Sequence, residues 1–386
     1  MANQVIGVRN TANIEQKKII VDMSNDIALL QPSETPFLSF LKIAKRNTET
    51  ANSFKFEWME DDLSPVWDAI NLAAGYANNV TALVVDNADI FRAGDTVKVP
   101  RTGEVMLVTA TNNGTQTLTV VRGYGVTTAA ALLDNDPLLI IGNANMEGSG
   151  AREIRSTKEV PKFNYTQIFK TPFGVTNTQQ ATKMYGTKDL SYQQMKAGVE
   201  HKIQIARSMI LGERKEDFSG SDPRRTTGGL LSFLTKNNYD AAGQLTKSEF
   251  DNNFAEVIFK YGSKNKLMIS SARLISVINE WAFGKLQINQ EAAKFGLKIF
   301  EYVTPFGTLN LVNEQYILEG PVYGGYGIII DPENVKYRPL AGRDTKLETN
   351  IQANDADKRV DQYLTEAGLE VRSPETHGVL TGVTSS

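Results

Sequence analysis

The sequence predicts an α+β fold in which extended segments, a small all-β module and an α/β region follow one another along the chain. Phe54, Phe56 and Trp58 alternate with charged residues, which is typical of a half-buried strand. Short β-rich runs separated by turn residues occupy positions 80–145 and indicate a small barrel or sandwich. A helical apolar stripe over residues 191–215 predicts one helix about 36 Å long.

The composition excludes several classes of protein. No cysteine is present, so disulfide frameworks and thiolate chemistry are ruled out, and two histidines, His201 and His377, leave little for a multi-histidine metal centre. The 41 Lys and Arg residues nearly balance the 44 Asp and Glu residues, whereas a protein that mainly binds nucleic acid has a basic excess. No apolar run is long enough for a transmembrane helix, so we expect no membrane contact.

The first 50 residues are predicted to form an extended arm. Pro32 and Pro36 interrupt its weak helical pattern, because proline lacks the amide donor that a helix interior needs. A segment that is half apolar and interrupted cannot bury itself alone, so we expect the arm to lie along another surface. No signal peptide pattern is present, and we therefore expect the chain to fold inside the cell.

The β-rich module is predicted to be an insertion in a longer hairpin. Residues 152–169 are again extended and polar, and they are expected to pair back on Phe54–Trp58. Because the flanking segments look like one extended element cut in two, we place the inserted module at residues 80–145. Its strands are predicted at Thr81–Val85, Thr96–Val99, Val105–Thr109, Thr117–Val121 and Leu138–Ile141.

Two capping boxes mark the predicted helix starts in the second half. Ser191 with Gln194 is expected to open the long helix, and Thr246 with Glu249 a second one. The buried face of the second helix is predicted to comprise Phe250, Phe254, Val257, Ile258 and Tyr261. A strand at Lys266–Ser270, a helix at Ala272–Phe283 and a hairpin of Leu297–Val303 with Thr308–Val312 complete an α/β region. The remainder, from Gly327 onward, is predicted to be mostly strand.

Signatures of enzyme chemistry are scarce. There is no phosphate-binding loop, nucleophile elbow or paired-histidine zinc motif, and the glycines of residues 324–327 fit a turn. The carboxylate pairs Asp86 with Asp89 and Asp355 with Asp357 lack the glycine and distal glutamate of a calcium loop and are expected to be solvated turns. Sequence spacing does not test for a carboxylate dyad, whose geometry is spatial. We therefore predict no enzyme, no cofactor and no metal site.

Six residues are predicted to contact other subunits. Arg224 and Arg225 lie in a glycine-rich loop that could hold phosphate or pair with acidic residues of a neighbouring subunit, and we favour the second. The aromatic side chains of the hairpin are a heavy apolar load for a monomer, although the hairpin could instead fold onto its own core. The candidate contacts are Phe54, Phe56, Trp58, Trp67, Arg224 and Arg225.

The order of parts resembles the major capsid proteins of tailed bacteriophages, whose fold also occurs in encapsulins. The most specific stretches are Ala206–Glu213, Arg225–Leu231 and Leu369–Gly378. They look like a subfamily that carries a β-domain insertion in its extended loop, the E-loop. The resemblance implies the following parts: an N-terminal arm (1–50), an E-loop hairpin (51–79 and 146–175), an inserted all-β domain (80–145), a peripheral domain (176–225) with a spine helix (191–215), an α/β axial domain (226–326) and returning peripheral strands (327–386).

This resemblance implies a structural function. The chain would assemble as hexamers and pentamers into an icosahedral head that encloses double-stranded DNA without sequence-specific binding. The implied partners are a separate scaffolding protein, a portal protein and, as a further candidate, a decoration protein. The implied location is the virion, with assembly in the host cytoplasm. Because Met1 is followed almost directly by the arm, we also expect no N-terminal maturation cleavage, while crosslinking through Lys–Asn bonds stays open.

Two alternatives remain at this stage. An encapsulin-type nanocompartment would share the fold and package an enzyme, and co-purifying cargo would distinguish it. A carbohydrate-binding surface protein would use the β module as a lectin-like domain, and a monomer that binds glycans would support it.

Overall fold

A computed structural model describes residues 37–38, 48–182, 189–281, 286–288, 299–314 and 316–385 of the protein. The chain divides into two compact units, one comprising Met1–Trp58 with Lys162–Ser386 and the other Met59–Pro161. Most of the predicted arm lies outside the described residues, which include only Phe37, Leu38 and residues 48–50 of it. Within the described ranges, no helix is long and apolar enough to cross a membrane.

Strands dominate both units. In chain order they are β1 (Lys55–Glu60), β2 (Trp67–Ala69), β3 (Ala82–Val84), β4 (Asp95–Lys98), β5 (Val105–Asn112), β6 (Thr117–Val121), β7 (Pro137–Asn143), β8 (Val160–Tyr165), β9 (Gln167–Thr176), β10 (Lys215–Asp217), β11 (Arg224–Thr226), β12 (Asn238–Gln244), β13 (Asn265–Ser270), β14 (Leu286–Ile288), β15 (Ile299–Val303), β16 (Thr308–Asn313), β17 (Gly327–Ile330), β18 (Val335–Pro339), β19 (Lys346–Glu348), β20 (Lys358–Val371) and β21 (Gly378–Ser385).

Helices are shorter and fewer among the described residues. They are α1 (Asn177–Ala181), α2 (Asp189–Leu211), α3 (Leu230–Phe233), α4 (Lys247–Glu249), a π-helical turn (Phe250–Ala255), α5 (Glu256–Ile258), α6 (Ala272–Trp281) and α7 (Gly320–Tyr323), with 3-10 turns at Ala88–Ile90, Pro332–Asn334 and Pro374–Thr376. The predicted strand positions of the β-rich module and the mixed character of the second half are confirmed.

The Met59–Pro161 unit is built on one six-stranded antiparallel sheet. Its strand order is β2-β7-β4-β5-β6-β3. Alternate apolar residues of these strands, Leu118 among them, form a core together with Ile70 and Phe91, which lie just outside the strands and are also buried. The predicted boundary at residue 80 is therefore too late: β2 pairs with β7, and Ile70 belongs to the core of this sheet. A short three-residue strand carries too little periodicity to be recognised in the sequence.

The larger unit contains a seven-stranded mixed sheet and a four-stranded sheet. The order of the first is β12-β21-β17-β13-β16-β15-β14, with β12–β21 and β13–β16 parallel. In the second, β20 lies between β18 and β19 and also pairs with β9 along ten residues. Helix α2 packs on β9, and a shared apolar core lies between α2 and the two sheets.

The strands after Gly327 do not form one returning layer. Strands β17 and β21 join the seven-stranded sheet, whereas β18, β19 and β20 form the other one. The reason is burial: Ile328, Ile329 and Ile330 are all fully buried, as in a central strand covered on both faces. The predicted division at residue 326 is thus corrected, because both ends of the 327–386 segment complete the sheet that begins with β12.

Helix α2 differs from its predicted bounds. It spans Asp189–Leu211, so Ser191 lies inside the helix and not at an N-cap, which corrects the first predicted capping box. A Cβ atom on Gly212 would lie 2.3 Å from the carbonyl oxygen of Ser208 and 2.7 Å from that of Thr227. Glycine is therefore the residue that fits here, and the helix ends directly before it, four residues earlier than predicted. The chain then forms the β10–β11 hairpin where a loop had been predicted.

The second predicted helix starts as expected and then changes its winding. Thr246 Oγ1 accepts from the amide of Glu249, and Glu249 Oε2 accepts from the amide of Thr246, so this capping box is confirmed. The π-helical turn that follows widens the repeat and shifts the buried face. Val257 and Tyr261, predicted to be buried, are therefore exposed. The side chains buried on this helix are those of Phe250, Phe254, Ala255, Ile258 and Phe259.

Candidate assembly surfaces

Within the described ranges, no group of three or more acidic or histidine side chains could hold a metal ion. Both histidines are buried: His201 bonds Thr171 through Nδ1 and Thr365 through Nε2, linking α2 to β9 and β20. The surfaces that could contact other subunits are those of the β1–β8 hairpin, the β10–β11 hairpin and the Met59–Pro161 unit.

The paired strands β1 and β8 form the two-stranded hairpin predicted from the sequence. Asn164, fully buried near the end of β8, fixes this hairpin to the larger unit. Its Nδ2 lies within hydrogen-bonding distance of three oxygens, on Thr227, Gly228 and Leu369, at 2.6–3.1 Å. Its Oδ1 accepts from the amide of Gly228 at 2.8 Å. One amide side chain thereby joins β8, the turn before α3 and strand β20.

Two of the predicted contact residues lie in the interior. Phe56 and Trp58 are only 5% and 6% exposed and pack with Ala51 and Phe233. Their rings stack at 6.2 Å, and Trp58 lies 5.9 Å from the ring of Phe233. The expectation that they contact neighbouring subunits is corrected, because α3 of the same chain covers them. For these two side chains, the alternative that the hairpin folds onto its own core describes the structure.

Phe54 and Arg225 are brought together. The Arg225 guanidinium lies 3.8 Å from the centroid of the Phe54 ring and donates through Nε to Glu216 Oε1 at 2.7 Å. Arg225 therefore has an acidic partner on its own hairpin, and its contact with a neighbouring subunit stays a prediction. Arg224 is exposed on the same strand, in register with Asp217, and stays a candidate contact.

The chain that enters β1 continues the edge of the four-stranded sheet. Residues 48–51 run parallel to β18, with amides of Glu49 and Ala51 donating to the carbonyls of Tyr337 and Pro339. Hydrogen bonds from Lys336 and then Arg338 lower the pKa of Glu49 to about 2. This end of the predicted arm is therefore held by main-chain bonds and by charge.

The Met59–Pro161 unit exposes large apolar side chains near the two ends of its chain segment. Leu63 is 96% exposed and Trp67 54% exposed, at the start of the unit. At its other end, Met146 is 84% and Ile154 86% exposed. Trp67 was predicted from the sequence as a contact residue, whereas the other three were not, because each is an isolated apolar residue in a polar stretch with no repeating pattern.

Comparison with known proteins identifies the class to which these surfaces belong. The family model described as SU10 major capsid protein matches residues 5–384. The chain belongs to this family. It is thus a major capsid protein of a tailed phage, a structural component of the virion that forms a shell from many copies.

Individual relatives agree with the family assignment. The chain is 23% identical over 406 residues to the major capsid protein of Pseudomonas phage PaMx41, covering 98% of this chain and 96% of that protein. Its fold is similar to that of a chain from Mycobacterium phage Bobi, with a TM-score of 0.50, 9% identity and coverage of 96% and 97%. The capsid of the native GTA particle gives a TM-score of 0.50 at 8% identity, with coverage of 98% and 100%.

Family membership decides between the alternatives. It favours a phage capsid over an encapsulin-type compartment, and it gives no support to a carbohydrate-binding surface protein. The α+β fold predicted from the sequence is confirmed by the sheets and by the similarity to the phage capsid chains.

Proposed function

We propose that neighbouring subunits bind one another through the exposed apolar residues at the two ends of the Met59–Pro161 unit. The observation that supports this most directly is the exposure of Leu63, Trp67, Met146 and Ile154, which the unit's own core leaves uncovered. Isolated apolar residues are common on surfaces, but four large ones at the chain ends of one unit are typical of an interaction site.

The energetics favour this use. Burying a side chain as large as leucine stabilises a contact by about 1.5–3 kcal/mol. One such contact is weak against the cost of association, but every subunit of a closed shell repeats the set on several neighbours. The exposed apolar residues therefore suit a shell in which each contact between subunits is weak enough to be reversible during assembly, while the completed shell is stable.

We further propose an icosahedral head of hexamers and pentamers that encloses double-stranded DNA, with no enzymatic activity of its own. The net charge of −3 supports a container that does not bind its cargo strongly. A separate scaffolding protein, a portal protein and a decoration protein are proposed partners, with assembly in the host cytoplasm. We place the Met59–Pro161 unit as an insertion in the E-loop.

Charge introduced at the exposed apolar positions tests the proposal. The variant Leu63→Asp with Ile154→Asp should keep the subunit's circular dichroism spectrum, because both side chains are solvated in the isolated chain. The double variant should form few or no shells, which electron microscopy and sedimentation would show. Val126→Asp is the matched control, since Val126 is also fully exposed in this unit but lies away from its ends. Normal yields of equally heat-stable shells from the double variant would overturn the proposal.

A further inference from the structure

Phe37 and Leu38, near the end of the predicted arm, lie in the core of the larger unit. They are 0% and 4% exposed and pack in the same apolar cluster as Ile317 and Leu318. The amide of Phe37 donates to Oε2 of Glu314 at 3.0 Å, across 277 positions of sequence. The carboxyl group of Glu314 thus accepts a hydrogen bond from the backbone of the segment that is buried in the core.

Glu314 occupies an unusual place for a carboxyl group. It is 1% exposed, and among the described residues its Oε1 has no hydrogen-bond partner. Its own amide donates to the carbonyl of Ser270, whose hydroxyl is likewise without a partner in the described part of the chain. Among the described residues the carboxyl group has one hydrogen bond and no cation beside it, and in such a buried setting the charged form is strongly disfavoured, so the neutral acid is the form that suits this position.

On the described elements next to Glu314, the ionisable side chains contact groups other than its carboxyl group. On β13 the ionisable side chain is Lys266, four residues or about 13 Å from Ser270, where it donates to the carbonyls of Tyr261 and Thr376. Strand β16, which precedes Glu314, has none. Arg207 on α2 lies over the ring of Tyr316, 5.8 Å from its centroid. Within the described residues, no ion pair therefore offsets a charge on Glu314.

We propose that Glu314 is a proton-controlled latch for the N-terminal segment: the protonated carboxyl group holds Phe37 and Leu38 in the core, and its ionisation favours their release. Release uncovers Glu314 and lets water solvate its carboxylate, whereas docking removes that water. The proposal concerns contacts within one subunit and does not rest on the proposed contacts between subunits.

The pH dependence of docking follows from the difference between the buried and the solvated environment of Glu314. Burial raises the pKa of Glu314 to about 7 in the docked state, against 4.5 when the group is solvated. Docking therefore takes up a proton, is strongest below pH 4.5, weakens as pH rises toward 7 and is constant above it. Across this window the docking equilibrium falls by at most about 300-fold.

Hydrogen exchange on the full-length subunit tests the latch. Exchange of a peptide containing Phe37 and Leu38 is followed by mass spectrometry at pH 5, 6, 7 and 8 in wild type and in Glu314→Gln. The ratio of the two rates cancels the intrinsic pH dependence of exchange. We expect the wild-type segment to lose protection relative to the variant by at least tenfold between pH 5 and 8. A ratio that stays constant over this range would overturn the proposal.

Two further variants and one internal reference complete the test. Glu319→Gln, an exposed carboxyl group in the same stretch, should behave as wild type, and Phe37→Ala should expose the segment at every pH. If Glu314→Gln does not fold, wild-type exchange is compared with that of residues 267–269 in β13. Equal pH dependence of the two peptides would then contradict the latch.

Discussion

The Nδ2 atom of Asn164 lies 2.6 Å from the carbonyl oxygen of Leu369, a residue 205 positions later in the chain. Through this bond and its partners at Gly228, the root of the β1–β8 hairpin is fixed to the central strand of the four-stranded sheet. A shell subunit that binds neighbours through an extended hairpin needs such a rigid root, because otherwise contact energy is lost in ordering the hairpin.

Replacing Asn164 by alanine is expected to destabilise the subunit by about 2–3 kcal/mol, because buried main-chain groups of Gly228 and Leu369 lose their partner. Urea denaturation followed by circular dichroism measures the change. Asn177→Ala is the control, since Asn177 makes an exposed side-chain bond to Asp357 and should cost less than about 0.5 kcal/mol. Equal losses in both variants would contradict a special role for Asn164.

His377 is expected to make the free energy of unfolding depend on pH. Burial lowers its pKa to about 4, and it stays neutral while Nδ1 accepts from the amide of Asp331 and Nε2 donates to the carbonyl of Arg372. The unfolded state binds a proton near pH 6.5 and the folded state does not. The free energy of unfolding should therefore fall by up to about 3 kcal/mol as pH drops from 6.5 to 4.

The pH effect of His377 is separable from that of Glu314, which has the opposite sign. Stability curves of wild type and His377→Gln, measured in urea at pH 4–8, should differ in slope between pH 4 and 6.5. Parallel curves over that interval would show that His377 does not contribute.

Lys266 and Asp331 form a buried charged pair. Nζ of Lys266 lies 3.8 Å from Oδ2 of Asp331, and both side chains are at most 1% exposed. Burial lowers the pKa of Lys266, so loss of its partner leaves a poorly solvated cation. Asp331→Ala is expected to cost about 3–5 kcal/mol. Calorimetric unfolding of Lys266→Met, Asp331→Ala and the double variant should give a combined loss smaller than the sum, and strict additivity would refute their coupling.

The two neighbouring arginines are expected to respond differently. Arg225→Ala removes the cation over Phe54 and the bond to Glu216, and should lower stability by about 1 kcal/mol. Arg224→Ala should leave thermal unfolding unchanged while lowering the yield of shells. Unfolding scans and sedimentation of both variants decide between an internal and an external role. A stability loss for Arg224→Ala would assign it an internal role as well.

Most local patterns were predicted correctly from the sequence, although the capping box at Ser191 was wrong. The strands of the β-rich unit follow the two-residue alternation, and the Thr246–Glu249 capping box is made by residues three positions apart. Both depend on neighbours along the chain, whose geometry is fixed by backbone conformation. The prediction of the buried face of this helix was partly wrong, because the π-helical turn at Phe250–Ala255 changes the number of residues per turn.

Contacts between distant segments were not readable in the same way. Phe56 and Trp58 have the same alternating pattern whether a neighbouring subunit or Phe233 covers them. Likewise, nothing near Arg225 indicates that Glu216 is its partner until β10 and β11 pair. The roles of Asn164 and Glu314 went unrecognised, since a single polar residue carries no periodic signal.

The amino-acid sequence was enough to predict the α+β class, the strands of the β-rich unit and, through three short stretches, the resemblance to phage capsid proteins. Three features become visible only in the three-dimensional structure: β17 and β21 complete the seven-stranded sheet, Phe56 and Trp58 turn inward, and Glu314 contacts Phe37. The difference lies in the separation of the interacting residues along the chain. Local geometry and periodicity are set by adjacent residues, whereas burial and charge pairing depend on which distant surfaces meet.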